Sequence, residues 1–160
     1  MRVVLDTSDY GIPQSRKRLF IIGRKKSLFK NKNFIWPEPI SCLPIKHFVD
    51  WKDTKKELEK LSPREKKNIV HMNPKGIFLD LRFSMKFFPN SDRLCSCICY
   101  QSKFWNQPLQ RLMNLKEMKS LQGFPDAFHF PCSIPRAKGQ LGNSISVNVL
   151  EKIIKNIFEN

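Results

Sequence analysis

The sequence predicts a mixed α/β fold, with a small sheet near the amino terminus, a mixed α+β region in the middle and a helix at the carboxy terminus. Residues 2–6 and 19–23 are apolar, β-rich runs, which predicts two adjacent strands; the second run is typical of a strand buried on both faces. Ser62 and Asn114 each have a Glu three positions later, the pattern of a capping box at a helix start. After residue 144, apolar side chains recur at helical spacing, which predicts an amphipathic terminal helix.

The other elements are placed by turn residues and composition. Residues 46–61 are compatible with a helix, and a proline at the first helical position favours a second helix over 63–72. Residues 77–105 are rich in aromatic and β-branched side chains and predict short strands. A further helix is expected over 115–122, where Gly123 would end it.

Composition indicates a globular chain with a polyanionic partner. The 160 residues are 41% hydrophobic and 27% charged, enough for one core of ordinary size. No apolar run approaches the roughly 18 residues of a membrane helix, and the first residues lack a signal-peptide pattern. With 29 Lys and Arg against 14 Asp and Glu, the net charge is +15, which favours nucleic acid over a membrane surface as the partner. Charge alone does not distinguish a binding module from an enzyme.

The cysteines favour a reducing compartment and no metal. There are five, an odd number, without a secretion signal, so a disulfide framework is not expected. Cys95, Cys97 and Cys99 are spaced by two, which on a strand would place all three thiols on one face. Zinc sites generally need C-x2-C spacing and a second distant pair, which the sequence lacks, so no metal site is predicted.

Three segments carry more specific information. Residues 10–18 read YGIPQSRKR, residues 111–128 contain RLMNLKE followed by LQGFPDAF, and residues 140–149 read QLGNSISVNV. Together they resemble, in family order, motifs VIII (Q-x-R-x-R), IX (R-x-L-T-x-R-E…QGFPD) and X (Q-x-G-N-S-V) of the DNA cytosine-5 methyltransferases. The resemblance covers both ends of the chain.

The resemblance implies a domain organisation. Residues 1–24 would be carboxy-terminal strands of the catalytic domain, from motifs VII and VIII, and residues 25–108 would be the target recognition region. Residues 109–160 would carry motifs IX and X and a helix that returns to the catalytic domain. The expected fold is therefore a partial methyltransferase-type sheet with a small mixed α+β recognition domain.

Motif VIII supplies the candidate pocket residues. Gln14, Arg16 and Arg18 alternate just before a strand, so their side chains are expected to point to one side. Two planar guanidinium groups suit a phosphate or a base oxygen. A solvated basic strand end is the alternative for these residues by themselves. The resemblance implies that they line the catalytic pocket, hold the flipped cytosine and touch the flanking backbone.

Motif X supplies the candidate cofactor residues. Gly142, Asn143 and Ser144 are expected to open the last helix, where backbone N–H groups can hold an anion. A plain N-cap is the alternative. The resemblance implies that they form a wall of the S-adenosyl-L-methionine pocket.

Motif IX departs from the family pattern, because Asn114 replaces Thr, Lys116 replaces Arg and Ala127 replaces Asp. Asn caps a helix as well as Thr does, but Lys116 lacks the bidentate fork for an acidic partner. The resemblance implies that this motif supports the recognition region.

The family's chemistry needs parts that precede motif VIII: a Pro-Cys nucleophile, a Glu-Asn-Val acid and an F-x-G-x-G cofactor turn. The sequence contains neither of the last two. Cys132 follows a proline, but it lies between motifs IX and X, in a Pro-broken loop with no preceding strand, and is not expected to be the nucleophile. We therefore expect no methylation by this chain alone.

The expected function is DNA recognition and pocket completion, as a subunit of a split methyltransferase of a restriction–modification system. An amino-terminal partner subunit would share the S-adenosyl-L-methionine and supply the nucleophilic Cys. The alternatives are a non-catalytic DNA-binding remnant and an inactive truncated methyltransferase. The Cys-Phe-Thr signature of the family's tRNA-methylating branch is absent, which favours double-stranded DNA, at the nucleoid in a prokaryotic cytoplasm.

DNA contacts are expected from two stretches without acidic residues, 14–32 and 93–116. Basic side chains among aromatic ones suit phosphate contacts and stacking, whereas a solvated basic face is the alternative. The candidate DNA-binding residues are Arg16, Arg18, Arg24, Lys25, Lys26, Arg82, Lys86, Arg93 and Lys103. Gln101 and Asn106 are further candidates for reading base edges.

Overall fold

The structure is a computed structural model that describes residues 1–23, 25, 34–71, 75–82 and 92–159. Within these residues it forms two small sheets and four α-helices. Three single-turn 3-10 helices, at Thr7–Asp9, Ile45–Phe48 and Leu58–Lys60, lie between them. In chain order the elements are β1 Arg2–Asp6, β2 Lys17–Ile21, α1 Pro63–Val70, β3 Phe78–Asp80, β4 Phe104–Asn106, β5 Arg111–Leu112, α2 Leu115–Leu121, α3 Ile134–Asn143 and α4 Val147–Glu159.

The first sheet is the antiparallel pair β1–β2, in the place that the two apolar runs predict. One face packs on α4, where Leu5 and Phe20 contact a cluster with Val149 and Ile153. The other face is open, and its apolar side chains are more than half exposed: Val4 (59%), Leu19 (57%) and Ile21 (72%). The expectation that the second strand is buried on both faces is therefore wrong for this chain, because nothing in the described residues covers that side.

The second sheet has the order β3–β4–β5 and is antiparallel throughout. On one side Trp105 packs with Leu61, Leu79 and Leu81. The main core lies on the other side, between this sheet and helices α2 and α3; its members include Phe78, Ile98, Phe104, Met113, Met118, Leu121 and Leu141.

Both predicted capping boxes are present. At α1, Ser62 Oγ accepts from the Glu65 amide at 3.3 Å, and the Glu65 carboxylate accepts from the Ser62 amide at 2.8 Å. At α2, Asn114 caps in the same way with Glu117, and Gly123 follows the helix with a φ of +80°. These starts were predictable because a capping box uses only residues within four positions of each other.

Ser62→Ala is expected to destabilise the chain by about 1 kcal/mol, because the Glu65 amide then loses its side-chain acceptor. Urea unfolding followed by circular dichroism measures the change. Ser41→Ala, at an exposed serine outside the helices, is the matched control and should stay within about 0.5 kcal/mol of the parent. Equal stability of the two variants would contradict the role of this cap.

The helix expected over 46–61 does not form. The chain there makes only two 3-10 turns, because its backbone groups have partners elsewhere. Asp50 N–H donates to Glu117 at 3.0 Å, and Arg111 donates to the carbonyls of Asp50 and Asp53. These tertiary hydrogen bonds replace the bonds that a helix would have made.

Helix α3 was not anticipated. Its second residue is Pro135, which at a helix start loses no hydrogen bond, so a proline that suggested a loop in fact begins a helix. Of the range 77–105, in which short strands were expected, residues 83–91 lie outside the described residues. The described residues there form β3 and β4, and residues 92–103 contribute only a bridge between Cys95 and Gln14. Cys95 and Ile98 both enter the core, so this segment does not alternate like a strand. The prediction that all three cysteines share one face is wrong for that reason.

Candidate functional site

Gln14 joins motif VIII to two other parts of the chain. Its side chain is fully buried, its Nε2 donates to the Leu121 carbonyl at 2.5 Å, and its Oε1 accepts from the Ile98 amide at 3.1 Å. The neighbouring backbone adds bonds between Pro13 and Cys95 and between Ser15 and Cys95. Gln14 therefore fixes the loop before β2 against α2 and the 95–98 segment.

Arg16 connects the same segment to motif X. Its side chain is 4% exposed; Nη1 donates to the Ile98 carbonyl, and Nη2 donates to the carbonyls of Gly142 at 3.2 Å and Ser144 at 2.5 Å. Burial lowers the pKa of Arg16, and the nearby Cys97 sulfur opposes that change. Both terminal nitrogens of Arg16 are therefore hydrogen-bonded to backbone carbonyls. Arg16 holds the Gly142–Ser144 segment of motif X in place, and its side chain does not face solvent.

Arg18 differs from the other two motif VIII residues because it is exposed. Its Nη1 donates to the Lys17 carbonyl at 2.8 Å, and its Nη2 lies 3.6 Å from Cys97 Sγ. Of the three predicted pocket residues, Arg18 is thus the one whose guanidinium is accessible to a ligand.

The motif X residues lie at the end of a helix and not at the start of one. Gly142 and Asn143 are the last residues of α3, Ser144 is its C-cap, and the final helix begins at Val147. The expected anion site at a helix N-terminus is therefore wrong, because the groups presented here are carbonyls, which bind Arg16. The motif X residues were predicted at a helix start because helix α3 was not expected from the sequence.

Gly142 allows α3 to lie directly on the chain at Cys99 and Tyr100. A Cβ at this position would fall well inside 3.0 Å of the backbone of both residues. Asn143, in contrast, is exposed, and Ser144 is half-buried. Close helix–backbone contact and the Arg16 bonds together fix the end of α3, which carries Asn143.

Motif IX is organised by a buried ion pair. Arg111 and Glu117 side chains are 1% and 0% exposed, and two parallel hydrogen bonds of 2.8 Å join them. The Glu117 carboxylate also accepts from the Asn106 amide group and from the backbone amides of Asp50 and Asn114. Burial lowers the pKa of Arg111, but the hydrogen bonds and charge of Glu117 outweigh it, so that pKa is raised.

This pair also positions the segment before α1. Asn114 Nδ2 donates to the carboxylates of Asp50 and Asp53 at 3.1 and 3.0 Å. Lys116, which stands where the family has Arg, places its Nζ 3.7 Å from Asp50. A cleft of about 330 Å³ beside it is lined by His47, Trp51, Lys116 and Asp126, among others. Lys116 therefore has an acidic partner. It makes a single contact of 3.7 Å instead of the two parallel hydrogen bonds that an arginine could make.

The candidate DNA-binding residues fall into distinct groups. Lys25 and Arg93 are exposed. Arg82 is paired with Asp80 at 2.5 Å, and Lys103 is paired with Glu65 at 2.7 Å. The candidates Arg24, Lys26 and Lys86 lie outside the described residues.

Of the two further candidates, Gln101 is exposed, whereas Asn106 is fully buried. The Asn106 side chain donates to Glu117 at 2.8 Å. Asn106 as a reader of base edges is therefore wrong, because its amide supports the buried ion pair.

The contact of Cys97 with motif VIII was not anticipated. Its Sγ lies 3.3 Å from Arg16 Nη1 and 3.6 Å from Arg18 Nη2, although 81 and 79 residues separate them in sequence. The Cys-x-Cys spacing was the only signal in the sequence, and it gave no information about this long-range neighbour.

The two sheets and four helices of the described residues form a mixed α/β fold that is similar to solved methyltransferase structures. The S. pombe Dnmt2 methyltransferase structure is similar, with a TM-score of 0.60 over 99% of this chain and 56% of that one, at 17% identity. The sequence profile of the C-5 cytosine-specific DNA methylases matches residues 2–159, so the chain belongs to this family.

Two Type II methyltransferases illustrate the relationship. M.DsaV of Dactylococcopsis salina is 27% identical over 97% of this chain and 46% of its own length. M.NgoBI of Neisseria gonorrhoeae is 31% identical over 92% of this chain and 47% of its own length. The chain thus spans about half the length of the curated relatives it matches.

In the part of the chain that the structure describes, no helix is both long and apolar enough to cross a membrane. Among those same residues, no cluster of three or more His, Cys, Asp or Glu side chains has the arrangement of a metal site.

Proposed function

We propose that this chain is the DNA-recognition and pocket-completing part of an S-adenosyl-L-methionine-dependent DNA cytosine-5 methyltransferase. It would act as a subunit of a split enzyme, with an amino-terminal part that supplies the nucleophilic cysteine. The observation that carries the proposal is the convergence of the three motif segments: Gln14 bonds to α2 of motif IX, and Arg16 bonds to the loop of motif X. Because the relatives are Type II methyltransferases, we place the enzyme in a restriction–modification system, acting at the nucleoid in a prokaryotic cytoplasm.

In this proposal the three motif VIII residues have different roles. Gln14 and Arg16 are positioning residues that act through the loops they hold. Arg18 contacts the substrate, because its guanidinium is exposed and can donate two hydrogen bonds to a base oxygen or a phosphate. The target base must leave the duplex stack before it can reach such a group.

The motif X loop fits a wall of the cofactor pocket. Bound S-adenosyl-L-methionine supplies the methyl group that the reaction transfers. Asn143 is exposed at the end of α3, which Arg16 and Gly142 hold in place, and no hydrogen bond of its side chain occurs within the described residues. Its amide offers both a donor and an acceptor, which suits the amino-acid end of the cofactor. The pocket would be completed by the amino-terminal part.

Exposed apolar surface on the first sheet supports the need for that part. The open face of β1–β2 carries Val4, Leu19 and Ile21, and α4 exposes Ile154 (44%) and Phe158 (81%). A two-stranded sheet is marginally stable by itself, and its unpaired edges favour further strands. Contiguous exposed apolar side chains are typical of an interaction surface.

The double substitution Val4→Asp with Leu19→Asp is expected to reduce capture of the amino-terminal part at least about tenfold, because two charges would then be buried in the interface. The measurement is co-purification with a tagged amino-terminal methyltransferase part that carries the Pro-Cys nucleophile motif. Val70→Asp is the matched control, since Val70 is 80% exposed on α1, and should co-purify like the parent. Equal capture of the double variant and the parent would place the interface elsewhere.

We propose that the candidate DNA-binding residues contact DNA phosphates. Lys25 and Arg93 are exposed, and Arg82 and Lys103 form ion pairs with Asp80 and Glu65. Binding through phosphates would weaken steeply with salt.

A further inference from the structure

Cys97 and Cys99 form a close thiol pair at the surface of the candidate site. Their Sγ atoms are 3.7 Å apart, and Cys99 Sγ donates to Cys97 Sγ. Both residues are half-buried, whereas Ile98 between them is fully buried in the core. The buried isoleucine anchors the segment and keeps the two sulfurs together on the accessible side.

Three arginines surround the pair. Arg16 Nη1 and Arg18 Nη2 lie 3.3 and 3.6 Å from Cys97 Sγ, and the positive charge of Arg82 lowers the pKa of Cys99. Reactive thiols typically occupy partly exposed, electropositive surroundings of this kind. Burial raises the pKa of Cys99, and the neighbouring Cys97 raises it further, so that pKa is raised overall despite the opposing charge of Arg82.

We propose that Cys97 and Cys99 form a reversible modification site that reacts with low-molecular-weight disulfides to give an internal Cys97–Cys99 disulfide. None of the proposed catalytic steps uses either sulfur as a reactant. To form the bond, the two sulfurs must approach from 3.7 Å to about 2.05 Å.

The reaction balances in two exchange steps. The Cys97 thiolate attacks one sulfur of the small disulfide, whose bond breaks, and the first small thiolate leaves. Cys99 then loses its proton and attacks Cys97 Sγ, which expels the second small thiolate. The protons of the two cysteines end on the two released thiols, and two electrons pass from the protein to the small disulfide. Reduction by excess small thiol reverses both steps.

The remaining cysteines provide internal references. Cys95 is fully buried, and burial raises its pKa well above the ordinary value, so it should stay reduced. Cys42 is half-buried like Cys97, but its thiol has no hydrogen bond to arginine or to a second sulfur among the described residues. The rate at which Cys42 reacts is therefore the reference rate for a partly exposed thiol of this protein.

The test uses the purified, fully reduced chain and oxidised glutathione as the probe, with peptide mass spectrometry after trapping of free thiols. Cys97 and Cys99 should lose their thiols about tenfold faster than Cys42, in a link that retains no glutathione. Cys97→Ser should abolish the link, whereas Cys42→Ser should leave it unchanged. Dithiothreitol should restore both thiols in the parent.

Two results would overturn the proposal. One is a stable glutathione adduct on Cys97 or Cys99 with no internal link in the parent protein. The other is loss of the Cys97 and Cys42 thiols at the same rate, which would show that the arginine surroundings have no effect. Neither result depends on methylation, so failure here is distinguishable from failure of the proposed function.

Discussion

Glu117→Gln is expected to destabilise the chain by about 3 to 5 kcal/mol, because it leaves the buried Arg111 charge without its counterion. The amide would also turn an N–H₂ group toward donors that now bind the carboxylate, from Arg111, Asn106 and the backbone of Asp50 and Asn114. A single substitution therefore disturbs motif IX, β4 and the segment before α1 together. Urea unfolding monitored by tryptophan fluorescence measures the loss.

Glu151→Gln is the matched control, since Glu151 is an exposed residue of α4. This variant should lie within about 0.5 kcal/mol of the parent. A loss for Glu117→Gln that is no larger than for Glu151→Gln would contradict the view that the buried pair organises motif IX.

Gly142→Ala is the second substitution with a large expected effect, about 3 kcal/mol or more of lost stability. The new Cβ would meet the backbone of Cys99 and Tyr100, which cannot rotate out of the way as a side chain can. Helix α3 would have to move outward, and Arg16 would lose its bonds to Gly142 and Ser144. Thermal unfolding of the variants measures the effect.

Two other glycines provide a graded comparison. A Cβ at Gly139 would lie 2.7 Å from the Tyr100 ring, a mostly exposed side chain that can swing aside, so Gly139→Ala should have an intermediate effect. A Cβ at Gly23 would meet nothing within 4 Å, so Gly23→Ala should be close to neutral. An equal melting temperature for the Gly142 and Gly23 variants would refute the close approach of α3.

What the sequence predicted well was local. The starts of α1 and α2 depend on Ser62 with Glu65 and on Asn114 with Glu117. The two residues of each pair are only three positions apart in the sequence. The terminal helix follows from a repeat of apolar residues, and Val149 and Ile153 are buried as that repeat requires.

What the sequence could not predict depends on distant partners. Whether Arg16 faces solvent or the interior is decided by carbonyls 82 to 128 residues away, at Ile98, Gly142 and Ser144. Arg18, two positions further on, lacks such partners and stays exposed, so one motif contains both a buried and an open arginine. The missing helix at 46–61 has the same cause, because Glu117 and Arg111 bind its backbone groups.

The motif comparison added what local rules could not. It assigned Gln14 and Arg16 to the catalytic pocket and Gly142 to a wall of the cofactor pocket. In the structure Arg16 donates a hydrogen bond to the Gly142 carbonyl, so the two segments are in contact. The motif X residues were expected at the start of a helix, whereas they lie at the end of α3. That helix was not expected, because its second residue is Pro135.

The central claim is that this chain completes a cytosine-5 methyltransferase that needs an amino-terminal part. Transfer of a labelled methyl group from S-adenosyl-L-methionine to duplex DNA, with each part alone and with the two combined, tests it most directly. The account predicts methylated cytosine only in the combined reaction, and strongly reduced methylation when the chain carries Arg18→Ala. Full methylation by either part alone, or none by the two together despite a stable complex, would contradict it.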